Sequence, residues 1–380
     1  MKKIAILGKG TAGSLTYNHF GFYTDYEIDV YYDSSIKEQT VGEGTTLNVP
    51  EQLNLTLGME FKDLPLINGN FKTSIYYEGF GKKNYHHTFF MPNISIHMNA
   101  VMLQEYIMEK NKNRINFIDK NIASHNDVDA DYIIDCTGTP KNLDNYWQAD
   151  YIPVNAALVK QCSWDKPEYT YTLTKAMKNG WMFGIPLANR VSFGYLYNSS
   201  FNDIEEIELE LDKYIESVNL SGDLHRLNIN FNNYFHKNNF SERVFYNGNA
   251  SFFLEPMEAT SLATVEEVNR KIFDVINGKK SIEKANKEYI EWFKEVQDII
   301  VMHYLAGSKY KTEFWHDAVQ KATKCLSIKT NRWQEILYNL NNPNYVLSNS
   351  YGCWSMPSIK SNIDNLDIAE LLWYLLTKKQ

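Results

Sequence analysis

Hydrophobic positions open the chain as a short unbroken run, Ile4-Ala5-Ile6-Leu7, and return as Ile28-Asp29-Val30-Tyr31-Tyr32. Between them Gly8-Lys9-Gly10-Thr11-Ala12-Gly13 leads into helical spacing to about Phe20. Two apolar runs joined by a glycine turn and a helix predict a β-α-β unit, with Asp33 just past its second strand. Alternation from Phe71 to Tyr77 predicts a strand, and Asp131 to Cys136 reads as a buried strand running into Thr137-Gly138. Helical spacing marks Asn99 to Lys110 and the acidic stretch Ile204 to Val218, where Ile207, Leu211, Ile215 and Val218 share a face. Tyr169 to Tyr197 predicts short strands and turns. The last third reads as helices: Thr264 to Asn277, Ile282 to Tyr304 with Ile290, Phe293, Val296, Ile300 and Tyr304 on one face, and Asp367 to Thr377. Asn341 to Ser361, rich in Asn, Pro, Ser and Gly, predicts a long loop.

Composition narrows the function classes. At 380 residues the chain has room for two or three domains. A net charge of −8 without a basic block argues against nucleic-acid binding. No apolar run approaches the ~18 residues that span a bilayer, and Ile4–Leu7 is too short for a signal peptide. Cys136, Cys162, Cys325 and Cys353 form no CxxC pair, so unpaired thiols in a reducing, cytoplasmic compartment are expected. No metal site is expected: His86 and His87 have no third ligand at suitable spacing, and His303 reads as a structural helix residue.

Gly8-x-Gly10-x-x-Gly13 sits where a dinucleotide fingerprint needs it. The first glycine turns the chain, the second admits a pyrophosphate, and the third packs helix on strand. The helix N-terminus supplies N–H groups for the phosphates, and Asp33, twenty residues after Gly13, can accept from a ribose hydroxyl. Ser14 stands where a P-loop needs lysine. The fingerprint alone does not separate FAD from NAD, and no second fingerprint offers a nicotinamide site.

Six further segments share one resemblance. They are Thr40-Val41-Gly42-Glu43-Gly44-Thr45, Asn70 to Ile75, Asp131 to Gly138, Asn179 to Leu187 after Tyr171-Thr172, Phe253 to Leu262, and Ile300 to Tyr304 with Phe314-Trp315. In this order, over most of residues 1–316, they resemble segments of the flavin-dependent tryptophan halogenase family. The departures are Phe183 for the second tryptophan of a Trp-x-Trp-x-Ile-Pro signature, Gly44 for alanine, and Ala259-Thr260-Ser261 for Ser-Thr-Gly or Ser-Thr-Ser. The chain is also shorter than members acting on free tryptophan, after Tyr85 to Phe89 and towards the C-terminus, where relatives clamp the amino acid. Substrate identity therefore does not carry over.

The resemblance implies an α/β, flavoprotein monooxygenase-like fold with a Rossmann FAD domain, an inserted β-rich substrate layer and a helical C-terminal module. Residues 1–275 would form the FAD-binding and catalytic domain. Its discontinuous FAD part is expected at about 1–50, 95–145 and 240–275, its substrate layer at about 51–94 and 146–239, and the helical module at 276–380. FAD, arriving as FADH2 from a separate flavin reductase, would be held by Gly8, Gly10, Thr11, Ala12, Gly13, Asp33, Ser34, Val41, Glu43, Gly138, Pro256 and Leu262. A halide (bromide, chloride or iodide) would rest at Thr260 and Ser261 and be oxidised to hypohalous acid. Lys72 would guide that electrophile or carry it as a haloamine. Glu258 would polarise it or take the arene proton. His86, His87, Phe89, Trp181 and Phe183 would line the pocket of a small aromatic substrate. A homo-oligomer is left open. Two rival functions remain at this stage: an NAD(P)H-dependent flavin aromatic hydroxylase, and a degenerate, non-catalytic flavin-binding protein.

Overall fold

The expected β-α-β opening folds as strand Lys3–Leu7, helix Thr11–Tyr23 and strand Glu27–Tyr32. The computed structural model describes residues 2–36, 41–89, 94–222, 224–328, 331–345 and 350–377, so Thr40 of the glycine-rich segment and residues 346–349 of the expected loop lie outside the described residues. Two compact units divide the chain. The first holds Met1–Phe71, Ser95–Gln148 and Tyr234–Glu291, and the second Lys72–Ile94, Ala149–Asn233 and Trp292–Gln380.

In the first unit a five-stranded parallel sheet runs in the order Val244–Tyr246, Tyr132–Asp135, Lys3–Leu7, Glu27–Tyr32, Asn116–Asp119. Lys3–Leu7 is the middle strand, and its unbroken apolar run suits a strand covered on both faces. The chain leaves it first to one side and later to the other, which makes its C-terminal end a topological switch point. Behind that point Asn247 is wholly buried, and its Nδ2 donates to Thr16 Oγ1 (3.2 Å), Asn269 Oδ1 (2.8 Å) and the Val265 carbonyl (3.1 Å). This network fixes the Ser261–Ile276 helix against Thr11–Tyr23. Helix Ala100–Asn111 starts where Asn99 caps it, its side chain accepting from the N–H groups of Val101 and Met102.

The second unit is built on a seven-stranded sheet in the order His225–Asn230, Ala156–Ser163, Arg190–Tyr197, Gly180–Pro186, Thr172–Met177, Ser74–Glu78, Tyr85–Thr88. All pairings are antiparallel except Thr172–Met177 with Ser74–Glu78. The acidic helix, Ile204–Ser217, covers one face through Ile207, Leu211 and Ile215, which pack on Leu158, Leu173, Met182 and Phe193. The helices from Trp292 onward belong to this same compact unit. His303 is buried and stacks on Tyr77 at 5.0 Å, and Trp315 donates from Nε1 to the Met177 carbonyl at 2.8 Å.

Three expectations are corrected. The strand foreseen from Phe71 to Tyr77 is two, Asn70–Lys72 and Ser74–Glu78, because Thr73 turns its N–H to the Thr170 carbonyl. Tyr169 to Tyr197 holds full-length strands. Gly180 permits their close approach, since a Cβ there would lie 1.9 Å from the Leu196 carbonyl oxygen. Part of the expected loop at Asn341 to Ser361 is helix Met356–Leu366, because Ser355 and Pro357 serve at a helix start, not in a loop. Among the described residues no disulfide joins the four cysteines, and no helix is long and apolar enough to cross a membrane.

Candidate functional site

At the switch point the three glycines do different work. Gly8, at φ +100°, donates its N–H to the Tyr31 carbonyl at 2.7 Å, and a Cβ on it would lie 2.6 Å from the Cys136 carbonyl oxygen. A Cβ on Gly13 would lie 2.0 Å from the Gly8 carbonyl oxygen. Both glycines are needed for the chain to close up. Gly10 caps the Thr11–Tyr23 helix, and a Cβ there would meet nothing within 4 Å. Open space over a helix N-terminus whose first turn has no acidic residue fits a pyrophosphate.

The remaining expected cofactor residues lie in the same unit. Ala12 lies under Gly248, where a Cβ would come within 2.4 Å of the Ala12 methyl. Gly138 has φ +105° and open space above it. Asp33 accepts from Ser35 Oγ, Asn121 Nδ2 (2.8 Å) and the Ser35 N–H (2.9 Å), and these bonds hold its carboxyl below the usual range. A carboxylate has about four acceptor positions, so one remains for a ribose hydroxyl. Ser34 donates its N–H to Asp119. Glu43 is buried, with its carbonyl accepting from the Met98 N–H at 2.9 Å, and Val41 is half-buried. Burial pushes the Asp135 carboxyl up, but hydrogen bonds from His125 and Thr137 outweigh this and hold it below the ordinary value.

Pro256 leads the chain into a strained turn. Glu258 (φ 67°) and Ala259 (φ 53°) are both left-handed, at a cost on the order of 1–3 kcal/mol each for residues with a Cβ. The chain then returns to right-handed backbone at Thr260 and enters the Ser261–Ile276 helix. Glu258 and Thr260 are buried, Ser261 is half-buried and Leu262 is buried. The first turn of this helix holds no carboxylate, so its N–H groups suit an anion.

The second unit places the lysine. Lys72 is wholly buried while Phe71 beside it is exposed. Its Nζ lies 5.7 Å from the centre of the Phe89 ring. Phe89 in turn helps line a cavity of about 380 Å³ with Thr73, Ser74, His86, Thr88, Ile94 and Tyr171. Of the expected pocket residues, Phe89 and His86 line this cavity. His87 points to the other face, with Nε2 2.9 Å from Ser358 Oγ. Trp181 is buried, and Phe183 lies across the neighbouring strand where Gly194 leaves room, a Cβ there falling 2.1 Å from its ring. His86 Nδ1 lies 3.0 Å from Ser74 Oγ, its ring packs on Tyr76 and Tyr171, and burial pushes its pKa down. Ser74 and Tyr171, which line this cavity beside His86, were not singled out from the sequence. The alternation of Tyr85–Thr88, which sets His86 and Thr88 on one face and His87 on the other, was the available signal.

A model of the tryptophan halogenase family matches residues 3–121 and 113–355. The tryptophan 6-halogenase SttH of Streptomyces toxytricini is 25% identical over 227 residues, 55% of this chain but only 43% of that enzyme. The chain thus spans less than half of that relative's length in sequence. Its fold is nevertheless that of the SttH crystal structure, with a TM-score of 0.80 at 17% identity over 96% of this chain and 90% of that one. BrvH, a flavin-dependent halogenase from Brevundimonas, gives 0.79 at 18% identity, covering 99% of this chain and 94% of its own.

Proposed function

This chain belongs to the tryptophan halogenase family, and from that premise we propose that it halogenates an electron-rich aromatic compound, using FADH2, dioxygen and a halide. The flavin, when bound, supplies the oxidising chemistry that turns halide into hypohalous acid. Everything else falls to side chains of this protein. Gly8, Gly10 and Gly13 seat the pyrophosphate, and the first turn of Ser261–Ile276 holds the halide through its N–H groups. The Lys72 amine receives the hypohalous acid, either as a hydrogen-bonded guest or by exchanging an N–H proton for halogen with release of water. Transfer of that halogen to the arene leaves the amine nitrogen short of one proton, which the proton displaced from the arene replaces by way of Glu258. Glu258 accepts the proton that the arene loses. A separate flavin reductase is the expected source of FADH2, and the arene is a small aromatic other than free tryptophan.

The burial of Lys72 carries this reading. Lysine is rarely fully buried, and the amine of this one lies 5.7 Å from the centre of the Phe89 ring, which lines the cavity. The test is product mass after incubation with FAD, a flavin reductase, NADH and bromide or chloride, across indoles, phenols and pyrroles. A halogen isotope doublet supports the proposal. A gain of one oxygen supports a hydroxylase instead, and absence of any turnover supports a flavin-binding protein without catalysis.

A further inference from the structure

Gln104 lies on the Ala100–Asn111 helix and is only 6% exposed. Its Nε2 donates to Thr11 Oγ1 at 2.9 Å. Thr11 is the first residue of the helix whose N-terminus meets the open side of Gly10. The other atom of the same carboxamide, Oε1, is buried and, among the described residues, accepts no hydrogen bond from the protein. A buried amide oxygen is costly to leave without a donor, and native structures rarely do so except where a ligand or water supplies one.

Two consequences follow from the hydrogen-bonding capacity of these groups. A threonine hydroxyl has one hydrogen to give. Because Gln104 donates into Thr11 Oγ1, that oxygen serves as acceptor here and its own hydrogen remains for another acceptor. At a helix N-terminus with open space in front, that acceptor is an anionic oxygen. The second consequence concerns Oε1, which can only accept and so suits a ligand that offers a hydroxyl. A dinucleotide offers both groups, a pyrophosphate and sugar or sugar-alcohol hydroxyls, within a few bonds of one another.

We propose that Gln104 is a cofactor-binding residue of this chain: it turns the Thr11 hydroxyl towards a phosphate of FAD and receives a hydroxyl of the same nucleotide on Oε1. This rests on the reading that the first unit binds FAD. Nothing in the spacing of the glycine fingerprint points to Gln104, which lies 91 residues beyond Gly13 and meets Thr11 only through the packing of two helices.

The experiment measures FAD affinity of the oxidised, full-length protein by flavin fluorescence at fixed salt, for wild type, Gln104→Met, Thr11→Val and the double variant. Methionine keeps the length of glutamine and removes both polar atoms. Gln104→Met is expected to weaken FAD binding about tenfold, while the melting temperature without FAD stays level or rises, because the orphan oxygen is gone. A merely structural role would lower that melting temperature. In the Thr11→Val background the loss from Gln104→Met shrinks, since the phosphate contact is already missing. The residual loss in that background is read with FMN and with ADP. A loss confined to FMN assigns the hydroxyl to the ribityl chain, and one confined to ADP assigns it to the ribose. If Gln104→Met binds FAD as wild type does, the inference about Gln104 fails and FAD binding stands. If wild type binds no FAD at all, the cofactor reading fails and takes this inference with it.

Discussion

The side-chain amine of Lys72, wholly buried, lies 5.7 Å from the centre of the Phe89 ring. An amine that close to an aromatic ring is sheltered from water by it, and the contact offsets part of the cost of burial. Lys72→Met keeps the length of the side chain and removes the amine. Fold and FAD binding are expected to persist, while halogenated product falls at least ~10²-fold, about 2.7 kcal/mol of transition-state stabilisation. Chromatography with mass detection checks this. Wild-type product formation by Lys72→Met, persisting when a scavenger of hypohalous acid is present, removes the lysine from the mechanism.

Phe89 both touches Lys72 and lines the 380 Å³ cavity, whereas Lys72 itself is closed off. Phe89→Ala should connect the two. Acylation of Lys72 by a small amine-directed reagent, followed by peptide mass mapping, is expected to rise several-fold over wild type. Equal labelling in the two proteins would show that some other group shields the amine.

The glycines should separate binding from stability. Gly10→Leu adds a side chain into open space, so the melting transition without FAD should stay within about 0.5 kcal/mol of wild type while FAD affinity collapses. Gly13→Ala forces a methyl to 2.0 Å from the Gly8 carbonyl oxygen and should cost stability on the order of 1–3 kcal/mol or more. Denaturant titration and FAD titration of both variants give the comparison. A Gly10→Leu protein that binds FAD normally counts against the pyrophosphate position.

Glu258 and Ala259 hold consecutive left-handed backbones ahead of the Ser261–Ile276 helix. Ala259→Gly should relieve strain and raise stability by about 1 kcal/mol in urea unfolding. Glu258→Gln keeps the hydrogen-bonding shape but cannot take a proton. Its product formation should slow sharply, though less completely than that of Lys72→Met. A Glu258→Gln enzyme with an unaltered rate at saturating substrate would deny the carboxylate a role in the proton step.

Stability should also depend on pH through a group remote from the chemistry. Burial pushes the Asp298 carboxyl up to about 6, although Tyr351 (2.7 Å) and Cys325 (3.4 Å) donate to it. The folded chain therefore holds this proton more tightly than the unfolded chain does. Its contribution is complete below the ordinary carboxylate range and is lost as pH rises through about 6, amounting to roughly 3 kcal/mol. Asp298→Asn should flatten that part of the profile and be the more stable protein at pH 8. Melting temperatures between pH 4 and 8 decide it, and a slope retained in the variant would assign the effect to another group.

The β-α-β opening, the strand at Tyr132–Asp135 and the helices at Ala100–Asn111, Ile204–Ser217 and Ile282–Leu305 could be read within a residue or a few. Each owes its form to contacts between residues close in sequence: apolar runs, helical spacing and glycines that only a tight turn requires. The fingerprint was legible for the same reason, because a phosphate at a helix N-terminus is held by neighbouring backbone groups. Alternation set Lys72 on the face opposite Phe71 and Thr73, but by itself it read as one exposed lysine among many, and its burial came with the fold.

What alternation could not fix was the partner. Thr73 breaks its strand to reach Thr170, ninety-seven residues away, and that break decides how the chain continues past Lys72. His86 and His87 were both expected at the pocket, yet a strand has two faces and only the pairing with Ser74–Glu78 tells which of the two faces the cavity. Gln104 against Thr11, and Asn247 against Thr16 and Asn269, are polar contacts between helices and turns far apart in sequence. Short-range pattern determines which elements form and which residues share a face. Only the packed structure decides what each buried polar group meets, because desolvation is imposed by whichever distant segment closes over it.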